Sequence, residues 1–272
     1  CFPRSQSILD VRSSFRLHTL CLLVVFLTVL LACKWQALYL EQQAFVELAA
    51  YIEEKKKNVL EGGIDNKTIK TTDSNVKIED KEVKILPEYQ ELVLENPDFA
   101  GWIVIDDTAI NYPIMQTPGE PECYLHRDFK GHDSYAGTPF VGRGNLQEKG
   151  DLFVYGHNMR NGTMFADLLK YQRRPFWNAH RVIQLDNLYE HREYRVFSVF
   201  YAEEIEWSEE GGLFSDAEFG SMNREELIDV LIKRGLHENH IISDNSAPLL
   251  FLITCSYWKE DGRLVVAAIR EK

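Results

Sequence analysis

The residues best suited to chemistry lie in LLFLITCSYWKEDGRLVVAAIR, Leu249 to Arg270. Two apolar, strand-like runs flank a short charged loop, with Cys255 closing the first run and Arg263 opening the second. In antiparallel pairing the two side chains would lie side by side at one rim of a sheet. A thiolate attacks acyl carbonyls, and a fixed guanidinium can bind the oxyanion that the attack creates. Each residue alone has an ordinary reading, as a buried structural thiol or as a strand-start arginine paired with Glu260 or Asp261. Their spacing points instead to nucleophilic acyl transfer.

Such a thiol needs a base or a cationic neighbour. His126, His132, His180, His191, His237 and His240 sit in polar, loop-like surroundings, whereas His157 ends the apolar strand DLFVYG and precedes a turn into a helix. A strand end is where a rigid scaffold can aim an imidazole. Metal binding is the competing use of Cys and His, but no CxxC is present and HENH at His237–His240 offers only two ligands. No metal and no organic cofactor is expected.

The elements that would position these groups begin at Pro87. PEYQELVLENPDF reads as a short helix with Pro87 in its first turn. Eight runs rich in β-branched and aromatic residues follow: GWIVI, INYPIMQ, TPFVG, DLFVYGH, RVIQLD, REYRVFSVFYAEE, LLFLITC and RLVVAAIR. Gly, Asp and Asn turns separate them, which predicts a closed β-barrel or a sandwich. Two helices are expected among the strands, GTMFADLLKY and NREELIDVLIKRG, the second with Asn223 as N-cap, Glu226 three residues on and Gly235 after its end.

Upstream the texture differs. LCLLVVFLTVLLAC, Leu20 to Cys33, holds Thr28 as its only hydroxyl residue and spans about 21 Å as a helix. Leu17 extends it at one end, while Lys34, Trp35 and Tyr39 suit an interface at the other. We expect a basic head over 1–16, a transmembrane anchor over 17–40, a helical stalk over 41–60, a flexible linker over 61–86 and a catalytic domain over 87–272. A cleaved signal, or a lipoprotein signal acylated at Cys33, is the rival reading of the apolar run. Arg4, Arg12 and Arg16 before the span orient it with the N-terminus inside. This predicts a single-pass cell-membrane protein with an extracellular domain. A net charge of −12 argues against a nucleic-acid partner, which would need a basic surface on this chain. Beyond the head only Cys123 and Cys255 remain, too few for a disulfide framework, though one optional bridge is conceivable.

LITCSYWKEDGR is similar to the Thr-Cys…Arg signature of sortases, the membrane-anchored cysteine transpeptidases of Gram-positive bacteria. YGHNMRNGTMFADL resembles the histidine segment of the class B form, as do NPDFAGWIVI, INYPIMQ and YLHRDF. The resemblance implies a mainly β fold: a closed eight-stranded sortase-type barrel with N-terminal helices, a helix before the penultimate strand and a single transmembrane helix ahead of it. It implies Cys255 as nucleophile, His157 as general acid/base and Arg263 as oxyanion stabiliser, with Thr254 and Ser256 as substrate contacts. It further implies secreted proteins bearing a C-terminal sorting signal as clients, and a cell-wall precursor or a pilin lysine as the amine acceptor. A membrane-tethered binding barrel with an inert thiol is the non-enzymatic rival. This sequence departs from the family pattern in GTPFVG, where Gly142 replaces an acid and Pro139 predicts a bulge or an edge, and at Ile253 and Ser256 around the Thr-Cys pair. Residues from about Ala202 to Pro248 lie where recognition elements are expected.

Overall fold

The computed structural model describes residues 8–61, 84–207, 213–238, 245–256 and 259–271, in two units, Cys1–Ala44 and Phe45–Lys272. Residues 8–16 of the expected head and the expected anchor belong to one helix, α1 (Ile8–Leu60), which no proline or glycine interrupts; the head's residues 1–7 lie outside the described residues. Within the first unit the apolar run is exposed residue after residue, Leu22 at 69% and Leu31 at 67%. A helix apolar all the way round and uncovered by protein is one suited to a lipid environment, and it is long enough to cross a membrane.

In the second unit the end of α1 lies against the barrel rather than standing clear as a stalk. Phe45 and Ile52, two turns apart, are buried, and Phe45 packs edge-on against Tyr112 at 5.5 Å. The charged run EEKKKN at the end of α1 supplies contacts as well. Lys55 pairs with Glu91 at 2.9 Å, Tyr51 donates to the same carboxylate, and Lys56 reaches the buried Asp186 at 2.8 Å. The expected linker over 61–86 lies outside the described residues from 62 to 83.

All eight expected strands form: β1 (Phe99–Val104), β2 (Asn111–Met115), β3 (Phe140–Arg143), β4 (Leu152–Tyr155), β5 (Val182–Asn187), β6 (Glu193–Glu203), β7 (Leu249–Cys255) and β8 (Gly262–Arg270). They close into a barrel in the order β1-β2-β3-β4-β7-β8-β6-β5, so the strand has no free edge at β3. The irregularity expected near Pro139 falls a little further along the same strand, between Val141 and Arg143, and the Pro139 carbonyl accepts from the Met115 N–H at 2.9 Å. Two pairings are parallel, β2 with β3 and β4 with β7. Leu249 to Thr254 are buried at every position, the continuous pattern of a strand covered on both faces. One face of β7 and β8 carries Leu249, Phe251, Ile253, Val265, Ala267 and Ile269, packed with Phe153 and the side chains Leu227 and Leu231.

Those two leucines come from α5 (Arg224–Arg234), the helix before the penultimate strand; α2 (Gln90–Glu95), α3 (Arg174–Ala179) and α4 (Asp216–Ser221) precede it. Asn223 caps α5, its side-chain oxygen accepting from the Glu226 N–H at 2.9 Å while its amide donates to the Glu226 carboxylate. Gly235 does not take the expected left-handed cap, having φ −59; a Cβ there would stand 3.0 Å from the Ser198 hydroxyl, so close packing is its use. GTMFADLLKY is not an α-helix but a run of 3₁₀ turns over Phe165–Gln172. Phe165, Leu168 and Tyr171 are all fully buried, and apolar anchors every third residue fit three residues per turn. Neither α3, in RPFWNA, nor α4 was expected from the sequence.

Candidate active site

Three neighbouring strands, β4, β7 and β8, bring the sequence-selected groups to one rim. Cys255 and Arg263 are direct partners in the antiparallel β7–β8 register. The parallel β4–β7 register runs from Leu152↔Leu250 to Tyr155↔Ile253, and two further bonds extend it. The Gly156 N–H donates to the Ile253 carbonyl at 3.1 Å, and the Thr254 hydroxyl donates to the Gly156 carbonyl at 2.7 Å. One step on, His157 comes level with Cys255. Alternation also settles the face. Phe153 and Tyr155, Phe251 and Ile253, Val265 and Ala267 lie on the side of the aromatic cluster, so His157, Cys255 and Arg263 emerge on that side at its end. Cys255 is exposed there, while Cys123 is half-buried, and both are free thiols.

All three line one cavity of about 310 Å³, whose other walls include Glu122, Leu125, Phe140, Tyr155 and Trp207. A more open groove of about 550 Å³, reaching Glu120, Cys123 and Gly142, shares Glu122, Phe140 and Tyr155 with it, so the two join into a cleft. Phe140 and Tyr155 stack at 5.7 Å to form its floor. Gly142 permits this, because a Cβ there would come within 2.5 Å of the Tyr155 ring. Burial pushes the Tyr155 hydroxyl up to about 12, against the opposing pull of Arg143 and Arg263, so it stays protonated.

His157 is partly buried, with Nε2 2.9 Å from the Leu125 carbonyl and its ring stacked 5.6 Å from that of His126. Burial pulls its pKa below the ordinary imidazole value; the Leu125 carbonyl opposes that shift and the neighbouring His126 adds to it. The segment after it is pinned locally. Phe165 N–H donates to the His157 carbonyl at 2.9 Å, and Asn158 Nδ2 donates to the Cys255 carbonyl at 3.0 Å. Gly156 lets the Phe165 ring approach, since a Cβ would fall 2.7 Å from it. Thr254 is buried with its hydroxyl committed to Gly156, and Ser256 is buried beside it.

The remaining histidines lie elsewhere. His191 bonds Asp186 at 2.9 Å, and His237 is buried against Trp177 with Nε2 2.7 Å from the Tyr171 carbonyl, so both do structural work that polar neighbours in sequence concealed. His240 lies outside the described residues. Among the described residues no cluster of three metal-ligating side chains occurs.

The sortase domain family matches residues 103–271. Sortase B of Listeria monocytogenes is 30% identical over 212 residues, which is 74% of this chain and 80% of the relative. The solved sortase B of Bacillus anthracis superposes with a TM-score of 0.65 at 27% identity, covering 86% of this chain and 97% of that one. Sortase B of Clostridium perfringens gives 0.58 at 31% identity, over 67% and 98%. The chain therefore belongs to the sortase family, cysteine transpeptidases built on a closed eight-stranded barrel. Within that family it is of class B.

Proposed function

We propose that the chain cuts a C-terminal sorting motif after a threonine and joins the freed acyl group to a cell-wall amine. The reading is carried by one observation, a thiol paired with a guanidinium across β7–β8 and an imidazole lining the same cavity. The Cys255 thiolate adds to the threonine carbonyl carbon, and Arg263 holds the resulting oxyanion. As the tetrahedral species collapses the C–N bond breaks, and His157 gives its proton to the leaving amine. A thioacyl-enzyme remains. The incoming amine adds to it, His157 accepts the proton that amine sheds, and the thiolate leaves.

The cavity and the groove that share Tyr155 and Glu122 would receive the peptide, and Ser256 lies next to the thiol in sequence. Any contact from Thr254 would use its methyl or backbone, since its hydroxyl is bonded to Gly156. The apolar part of α1 is proposed as a single-pass anchor, N-terminus inside, with the barrel on the extracellular side.

Incubating the protein with a labelled sorting-motif peptide and an amine tests this. A Cys255-linked thioacyl adduct by mass spectrometry, lost in Cys255→Ala, is the expected result. Transfer that survives Cys255→Ala would overturn the proposal, as would an inert thiol that forms no adduct. A preference for pilin lysine over wall peptide as acceptor would replace only the second substrate.

A further inference from the structure

We propose that the Leu125 backbone carbonyl, with Gly137 as the positioning residue behind it, fixes the tautomer of His157 and leaves Nδ1 as the nitrogen that exchanges protons with Cys255 and the substrate amines. The inference deepens the proposed function and rests on it for the role of the ring.

A neutral imidazole carries one N–H, and a carbonyl can only accept. With Nε2 2.9 Å from the Leu125 oxygen, the proton of the neutral ring belongs on Nε2 and the lone pair on Nδ1. The same carbonyl accepts equally well from the imidazolium, so the ring holds its orientation through both halves of the cycle while Nδ1 alone changes protonation. Stacking against His126 covers one face of the ring and opposes tilting.

The carbonyl is itself held in place. Leu125 belongs to the 3₁₀ turn Pro121–His126, against which residues 134–138 are fastened. Ser134 N–H donates to the His126 carbonyl at 2.9 Å, and Thr138 N–H donates to the Tyr124 carbonyl at 3.0 Å. Gly137 lies between these bonds at φ +61, its N–H donating to the Ser134 hydroxyl at 3.0 Å. A Cβ at Gly137 would stand 2.3 Å from the Leu125 oxygen and 2.8 Å from the Tyr124 oxygen. Any side chain there must push the acceptor off the His157 ring. Gly131 offers a matched control on the same connection, with φ +82 and no atom within 4 Å of its would-be Cβ.

The test uses the full chain in detergent micelles with ¹⁵N-labelled histidine, the His157 ring being assigned by its loss in His157→Ala. Wild type and Gly131→Ala should both show a pyrrole-type Nε2 and a pyridine-type Nδ1 in long-range ¹H–¹⁵N spectra above the titration of the ring. Gly137→Ala should show a mixture of tautomers, with kcat for peptide transfer down roughly tenfold and KM within about twofold, as for a misplaced reacting group. A wild-type His157 protonated at Nδ1 would overturn the inference. So would a Gly137→Ala enzyme that loses activity with wild-type ring shifts, or one that fares no differently from Gly131→Ala. Should Gly137→Ala fail to fold, Ser134→Ala, which removes the hydroxyl that accepts from the Gly137 N–H, takes the same readout. An Nε2–H ring in a protein that transfers no peptide would leave the tautomer assignment standing and defeat the proposed function instead.

Discussion

The Thr254 hydroxyl donates to the Gly156 carbonyl at 2.7 Å, and that bond ties the strand ending in the thiol to the strand leading to the imidazole. Thr254→Val keeps the shape but removes this part-buried hydrogen bond, a loss of about 1 kcal/mol. We expect a lower melting temperature together with a fall in kcat, since the register that brings His157 level with Cys255 loosens. Unchanged kinetics at reduced stability would show that the register is held by the backbone alone.

Arg263 differs from a lysine in more than charge. A planar guanidinium can hold an oxyanion through two N–H groups, whereas an ammonium is a single mobile point. Arg263→Lys should therefore lower kcat by roughly 100-fold with little change in KM, the signature of a donor used only in the transition state. Steady-state peptide transfer measures it, and a loss confined to KM would place the residue in ground-state binding.

The His157 ring should titrate below the ordinary imidazole range, because burial and the adjacent His126 both disfavour its charged form. Replacing His126 with Gln removes the second influence, so the midpoint should move up; a ring-resolved NMR titration reads it. The linkage sign follows. With the folded value lower than the unfolded one, the unfolded chain binds more protons in between, and His157 makes the fold less stable as pH falls through that window.

Asp186 accepts from Tyr89 at 2.6 Å, Lys56 at 2.8 Å and His191 at 2.9 Å, binding the end of α1 to β5. Burial would raise its pKa, but the bonds from His191, Lys56 and Tyr89 outweigh that and hold it below the usual carboxylate range. The His191 bond in turn raises the imidazole, led by the Asp186 contact. The carboxylate contributes stability that is present above about pH 4 and lost as pH falls through its depressed value. The imidazole contributes stability that is present below about pH 6.5 and lost as pH rises through its elevated value. Asp186→Ala should destabilise the second unit by about 3 kcal/mol, since it strands the groups that faced it. Hydrogen exchange should then quicken across residues 45–60 first. An even loss of protection over the barrel would contradict this local role.

The eight strands were readable because their apolar runs are long and bounded by turn residues, and the Cys255–Arg263 pairing because it is a local hairpin. Strand order was not. Nothing in DLFVYG announces a parallel partner almost a hundred residues away, and the level placement of His157 with Cys255 depends on that partner. The cavity walls Glu122, Tyr155 and Trp207 were missed for the same reason, as were the buried roles of His191 and His237. The Leu125 carbonyl escaped notice because a main-chain acceptor has no letter of its own. Its one trace is Gly137 in YAGT, a glycine that reads as an ordinary turn until its neighbours in space are known.

Gly156 and Thr254 stand 98 positions apart and meet only through the β4–β7 pairing. Contacts of such separation are late events, since a large loop must be closed before they form. The thiol thus acquires its imidazole only when the barrel shuts. An unfinished chain then carries a sulfur without its base, ill-equipped to take an acyl group from a passing peptide until the fold is complete.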